Sequence, residues 1–337
     1  MGSILDMPQP LNQVQIRNLG IYGVIREAEV DSRLLPQEAV IESINFHFDR
    51  KGACTVRPGI KSMQSTAVSS TYACLGLYQF NFSTGSAVLT AFSDGTNNDI
   101  YALSGNFWSK THEDDTAGSK TRFITFSNYV MKMNGNDTMF VWSGSGNWIG
   151  SGNPLNVDDL TTQGSHTINI KPQYAEVFKS KVYVTGDSTN PDRLYYSSVI
   201  SSAGNIVWTP LTNYVDINPN DGENITGLRR FGTQLLIFKP NYIYRYFGVE
   251  GTDPDPLISV GTRSHDSIVV AKDGLYFHHD TGFYKYVGGQ PKELSRPISD
   301  FVKAIPASYY TTITGWKDED HIYWSIGNLT IDGVSFT

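Results

Sequence analysis

From about residue 70 onward the chain repeats one unit: a short apolar strand, a polar turn of Gly, Asn or Asp, and a second strand rich in Tyr, Phe or Trp. The copies span residues 87–92 with 100–103, 129–133 with 139–142, and 181–184 with 194–196. Two more follow, 235–238 with 242–246 and 274–277 with 283–286, and a sixth opens at 321–324. With Val88, Val130, Val182, Leu236, Tyr276 and Ile322 as equivalent points, the intervals are 42, 52, 54, 40 and 46 residues. These lie around the roughly 40 to 50 residues of a four-stranded propeller blade. Each hairpin would supply two strands of a blade, and the polar stretches between hairpins the remaining one or two. The expected fold class is therefore all-β: a β-propeller of about six blades with an extended N-terminal arm and hairpin. An irregular β-sandwich or a β-rich pair of domains is the competing arrangement.

Composition points the same way. Charged residues make up 18% of the 337 residues and aromatics 12%, and there are 31 glycines. Few charges, many aromatics and much Gly disfavour helix and suit strands joined by turns. Apolar material is ample for a core, which excludes disorder as the main state. No apolar run approaches the roughly 18 to 20 residues of a membrane-spanning helix, so no membrane partner is expected. Residues 1–6 show neither a secretion signal nor an acylation pattern, since Asp6 stands where Ser or Thr is needed. The net charge of −7 does not suit a chain that seeks phosphate backbones. Cys54 and Cys74 stand without a His or Cys cluster and could form a disulfide.

The chain divides into an N-terminal arm (1–33), a hairpin leading into or completing the propeller (34–61), and the propeller body (62–337). In the arm, 13–16 and 21–25 are short extended segments with polar links, which suits packing on something else. Ile16, Ile21, Tyr22, Val24 and Ile25 are its candidate interaction residues. In the hairpin, Ile44, Phe46 and Phe48 share one face of a strand, residues 49–52 are turn chemistry, and 53–56 return. Arg57, Pro58 and Gly59 end it, because Pro has no donor for a ladder and Gly permits a sharp bend. Leu34, Leu35, Phe46, Phe48, Arg57, Pro58 and Gly59 complete the candidate interface. Residues 327–337 read like the middle of a blade, so either an N-terminal strand completes it or the natural chain continues past Thr337.

No catalytic motif is found. The glycines of 144–150 have the wrong spacing for a dinucleotide loop and read as a turn. His278-His279-Asp280 offers metal-ligating types, but neighbours on a strand point to opposite faces. One histidine is expected buried beside tyrosines and the other exposed. The acidic stretches 94–99 and 216–222 lack the spacing of a calcium loop and read as turns. The pairs Arg50-Lys51 and Arg229-Arg230 read as a solvated face. No catalytic residue, metal or cofactor is assigned, and a non-enzymatic role is expected.

Leu34-Leu35-Pro36-x-Glu38-Ala39, then Asn45-Phe46-x-Phe48-Asp49, Gly52 and Val56-Arg57-Pro58-Gly59-Ile60, resembles the opening of tailed-bacteriophage structural proteins. The resemblance is to the tail-hub, nozzle or packaged-DNA-stabilising type, which is built around β-propellers; its nozzle proteins are considerably longer than this chain. It implies a virion component at the tail or portal vertex, made in the host cytoplasm. The implied partners are other tail or portal-vertex proteins and further copies of the chain, about six or twelve in a ring. Passive contact with genome DNA in transit is also implied. An arm can add a strand to a neighbour's sheet edge and lock such a ring. The alternative is a carbohydrate-binding or carbohydrate-cleaving propeller that recognises a host surface, whose cleaving form needs carboxylates about 5 to 10 Å apart. Clustered carboxylates and Trp at the channel would favour sugar; mixed polar residues would favour structure.

Overall fold

Each hairpin found in the sequence sits inside an antiparallel sheet, and the polar stretches around it add further strands. The computed structural model describes residues 46–48, 54–56, 68, 73–104, 107–318, 321–331 and 334–336. A small hairpin pairs β1 (Phe46–Phe48) with β2 (Cys54–Val56). The first large sheet follows as β3 (Cys74–Phe82), β4 (Gly85–Ser93), β5 (Asn97–Ser104) and β6 (Phe107–Thr116). The second is β7 (Arg122–Phe126), β8 (Tyr129–Met133) and β9 (Phe140–Trp142). A ribbon of β10 (Thr162–Gln163) and β11 (His166–Thr167) precedes the third sheet. That sheet is β12 (Tyr174–Phe178), β13 (Lys181–Thr185), β14 (Arg193–Tyr196) and β15 (Tyr214–Asp216). The fourth is β16 (Gly227–Phe231), β17 (Gln234–Phe238), β18 (Ile243–Tyr246) and β19 (Asp255–Ile258). The fifth is β20 (Val269–Ala271), β21 (Gly274–His279), β22 (Gly282–Tyr286) and β23 (Lys292–Glu293). After the short helix α1 (Ser299–Lys303), β24 (Thr314–Asp318) pairs with β25 (His321–Ser325) and β26 (Leu329–Ile331) with β27 (Val334–Phe336). Strands pair in sequence order throughout, and no helix among the described residues is long and apolar enough to cross a membrane.

Side chains leave a strand alternately on opposite faces, so a continuous apolar run is stable only when both faces are covered. β17 meets that condition. Leu235 and Ile237 join a cluster with Tyr183, Tyr196 and Leu228, toward the third sheet. Leu236 and Phe238 join Leu275, Phe277 and Tyr286, toward the fifth. β13 divides in the same way, with Val182 and Val184 toward the second sheet and Tyr183 toward the fourth. β8 sends Val130 toward the first sheet and Met131 and Met133 toward the third. Each apolar cluster thus lies between consecutive sheets, in an all-β, propeller-like arrangement.

The first strands of successive sheets touch in turn: β3 with β7, β7 with β12, β12 with β16, and β20 with β24. At the first of these junctions the Thr121 N–H donates to the Leu75 carbonyl at 3.0 Å. Gly76 permits that approach, since a Cβ there would lie 2.2 Å from the Thr121 carbonyl oxygen. Nearby, Cys74 is a free thiol, 3.2 Å from the Thr90 hydroxyl, and not half of a disulfide with Cys54. Gly76→Ala should force these strands apart and cost about 1 to 3 kcal/mol. Urea unfolding should show it as a lower midpoint with an unchanged slope.

Candidate functional site

Three of the first strands carry a charged residue: Arg122 in β7, Glu176 in β12 and Arg229 in β16. The single turn ahead of β20 adds His265 and Asp266. The folded chain brings these residues together. Arg122 donates through Nε and Nη2 to the two Asp266 carboxylate oxygens, at 3.1 and 2.8 Å, and Lys120 Nζ reaches the same carboxylate at 2.6 Å. The Arg122 guanidinium lies over the Tyr174 ring at 4.8 Å, and that ring stacks on His265 at 4.9 Å between centroids. The Leu228 N–H donates to His265 Nδ1 at 3.3 Å, and Arg229 reaches Glu176 at 3.5 Å. Two clefts, of about 540 and 450 Å³, flank the cluster, and Lys120, Arg122 and His265 line both. The smaller also takes residues 74–78 of β3, Arg229 of β16 and Thr314 of β24, so strands from distant parts of the chain meet there.

The electrostatics follow from this packing. Burial works to raise the Asp266 carboxyl, but Arg122 and Lys120 outweigh it and hold the acid well below the usual carboxylate range. Burial lowers His265 well below 6.5, and Arg229, Arg122 and Lys120 add to the effect. The imidazole is therefore neutral, accepts at Nδ1 and carries its proton on Nε2. Burial raises Glu176 even with Arg229 beside it. An ionised Asp266 saturated by two cations is a poor general base, and the centre serves as a cluster of donors.

Two further buried clusters lie away from the centre. Lys239 has no exposed side chain, and its ammonium donates to Asp192 at 2.9 Å, to Asp221 at 2.8 Å and to the Asn218 carbonyl at 3.2 Å. It ties residues 216–222 to the fourth sheet beside a cleft of about 810 Å³ that Asp216, Asp221, Glu223, Asn241 and the exposed Tyr242 help to line. Lys132, buried against Asp115 and over the Phe140 ring, links the second sheet to the first, and burial lowers its amine in spite of Asp115.

Several expectations are corrected here. His278 and His279 are both buried, at 1% and 7% exposure, because β21 is covered on its two faces. His278 packs on Phe283 and Tyr310 and has no partner at either ring nitrogen. Arg229 is not part of a solvated face; it reaches inward to Glu176. Of residues 94–99 only 94–96 form the turn, with the Asp94 carboxylate accepting from the Thr96 and Asn97 N–H groups, and 97–99 already belong to β5. In the turn at 144–150, Trp142 donates to the Gly146 carbonyl. Phe46 and Phe48 lie in β1, opposite Val56 and Cys54. The other candidate interface residues, Ile16, Ile21, Tyr22, Val24, Ile25, Leu34, Leu35, Arg57, Pro58 and Gly59, lie outside the described residues, as does the Arg50-Lys51 pair. Period-two patterning marks the apolar hairpins and gives no sign of the central residues. The local signal is a lone charge in the strand ahead of two of the hairpins, in the Arg-Phe-Ile-Thr-Phe of β7 and the Tyr-Ala-Glu-Val-Phe of β12.

No protein-family model and no curated protein matches the chain. A solved structure described as the AfRom2 CNH domain is similar over 74% of this chain and 68% of its own length, at 9% identity and a TM-score of 0.36.

Two outcomes follow from the buried charges. Asp266→Asn leaves Arg122 and Lys120 without a counter-ion and should cost about 3 kcal/mol. In the parent protein the Asp266 contribution is full above the unfolded carboxylate value of about 3.9 and fades as pH falls below it. Urea titrations in acid should therefore find a flatter pH dependence in the variant. His278 is pulled by burial to about 4. The unfolded chain takes up that proton first, so stability should drop by about 3 kcal/mol as pH falls from about 6.5 to 4. His278→Phe should remove that part of the slope, read from melts at neutral and mildly acid pH.

Proposed function

We propose that the chain is a non-enzymatic structural component of a tailed-phage virion, a ring-forming tail-hub, nozzle or head-to-tail subunit below the portal. The supporting observation is the centre, where Glu176 and Asp266 are each held by cations and neither central cleft is lined by a pair of carboxylates among the described residues. That is the mixed polar lining expected of a scaffold. In this reading the sheets are six blades of a closed propeller, with β24 and β25 in the last. The cleft shared by residues 74–78 and Thr314 supports apposition of the last blade to the first. Phe107, Leu77 and Val287, at 78%, 68% and 62% exposure, offer apolar area for neighbouring copies and for tail or portal-vertex proteins. Genome DNA would pass through the lumen between copies, since Arg122, Asp266 and Tyr174 fill the centre of each one.

A second reading, a carbohydrate-binding or carbohydrate-cleaving propeller that recognises a host surface, is favoured by the 810 Å³ cleft. Its exposed Tyr242 stands among Asp216, Glu223, Asp253, Asn218 and Asn241, types suited to sugar hydroxyls. Light scattering of the purified chain, followed by electron microscopy, separates the two. The scaffold reading expects rings of about six or twelve copies. A monomer that retains or cleaves polysaccharide would overturn it.

A further inference from the structure

We propose that the larger central cleft is a binding site for a small oxyanion-bearing ligand, its phosphate, sulfate or carboxylate group held by Lys120, Arg122, Tyr174 and His265. The cleft presents more donors than its own acceptors consume. Arg122 lines the cleft, and its Nη1 is buried with no hydrogen-bond partner among the described residues; Tyr174, 7% exposed, lies under the same guanidinium. His265 is 6% exposed and lines the cleft; with Nδ1 accepting from Leu228, its Nε2–H is the ring's donor. Buried polar groups are normally satisfied, so a buried guanidinium nitrogen left without a partner beside this cleft calls for one from outside. The carboxylates nearby are already engaged. Asp266 is shared by Lys120 and Arg122, and Asp280 takes Arg263 at 2.8 Å. Asp187 accepts from the backbone N–H groups of Lys171 and Asn190, each at 3.2 Å.

Around His265 charge points the same way. Lys120 and Arg122 bring two positive charges to the single carboxylate of Asp266, an excess of one at that ring, which the Asp187 carboxylate offsets over the cleft as a whole. Besides burial, the influences that keep His265 neutral are mainly cationic, which marks a positive field at that ring. A volume of about 540 Å³ suits a small molecule. The site needs only one folded chain and does not depend on the ring.

Isothermal titration of the full chain with inorganic phosphate, sulfate and glucuronate tests the proposal. Saturable binding that weakens with added salt is expected. Preference for phosphate or sulfate would identify a tetrahedral group, and preference for glucuronate an acidic sugar. Tyr174→Phe removes the hydroxyl but keeps the ring on His265 and Arg122, and should weaken binding about tenfold. Lys120→Met, a change at a part-exposed residue, should weaken it at least as much, with circular dichroism checking the fold of both variants. The proposal is overturned if none of the three ligands saturates the protein by about 10 mM, a weak millimolar affinity, or if both variants bind like the parent.

Discussion

The middle strands of the sheets must bury both faces, and the rest of the structure depends on that constraint. An isolated hairpin such as β17 and β18 would leave Leu235 and Ile237, or Leu236 and Phe238, in water. At about 25 cal/mol per Å² of apolar surface, neither face can be left open at small cost. The second to fifth sheets therefore each lie between two others, and the apolar clusters on their faces are shared with those neighbours. The aromatic residues fit this role, since Tyr183, Tyr195, Tyr246 and Tyr286 fill the space between sheets with their rings almost wholly buried.

Stacking sheets in this way fixes neighbours but says little about the centre, where first strands approach from several directions. The Arg122–Asp266 pair acts at that point, joining residues 144 positions apart in the sequence. Buried ion pairs add little net stability, because desolvation offsets attraction, but a broken pair is costly. The pair thus penalises arrangements that separate β7 from the turn before β20. Lys239 with Asp192 and Asp221, and Lys132 with Asp115, hold the sheets together in the same manner farther out.

The hairpins were legible in the sequence because their information is local. Alternation, turn chemistry at Asp94-Gly95 and Asn134-Gly135, and aromatic second strands all sit within about twenty residues, and the strands fall where those signals put them. The candidate site was hardly legible. Arg122, Tyr174, His265 and Asp266 lie in four separate segments, and no spacing rule joins them. His278 and His279 show the other limit. Alternation correctly places them on opposite faces, yet exposure depends on what covers those faces, and here Tyr310 and neighbouring sheets cover both.

By itself, then, the sequence determined an all-β chain of repeated hairpins with strands apolar on both faces, since period-two patterning and turn residues act over a few positions. Only the tertiary structure decided which charges meet. The Arg122–Asp266 pair, the buried and unpartnered Arg122 Nη1, and the burial of both histidines depend on which strands pack side by side. That packing is set by the summed burial of whole sheets, a long-range quantity that no short stretch of residues encodes.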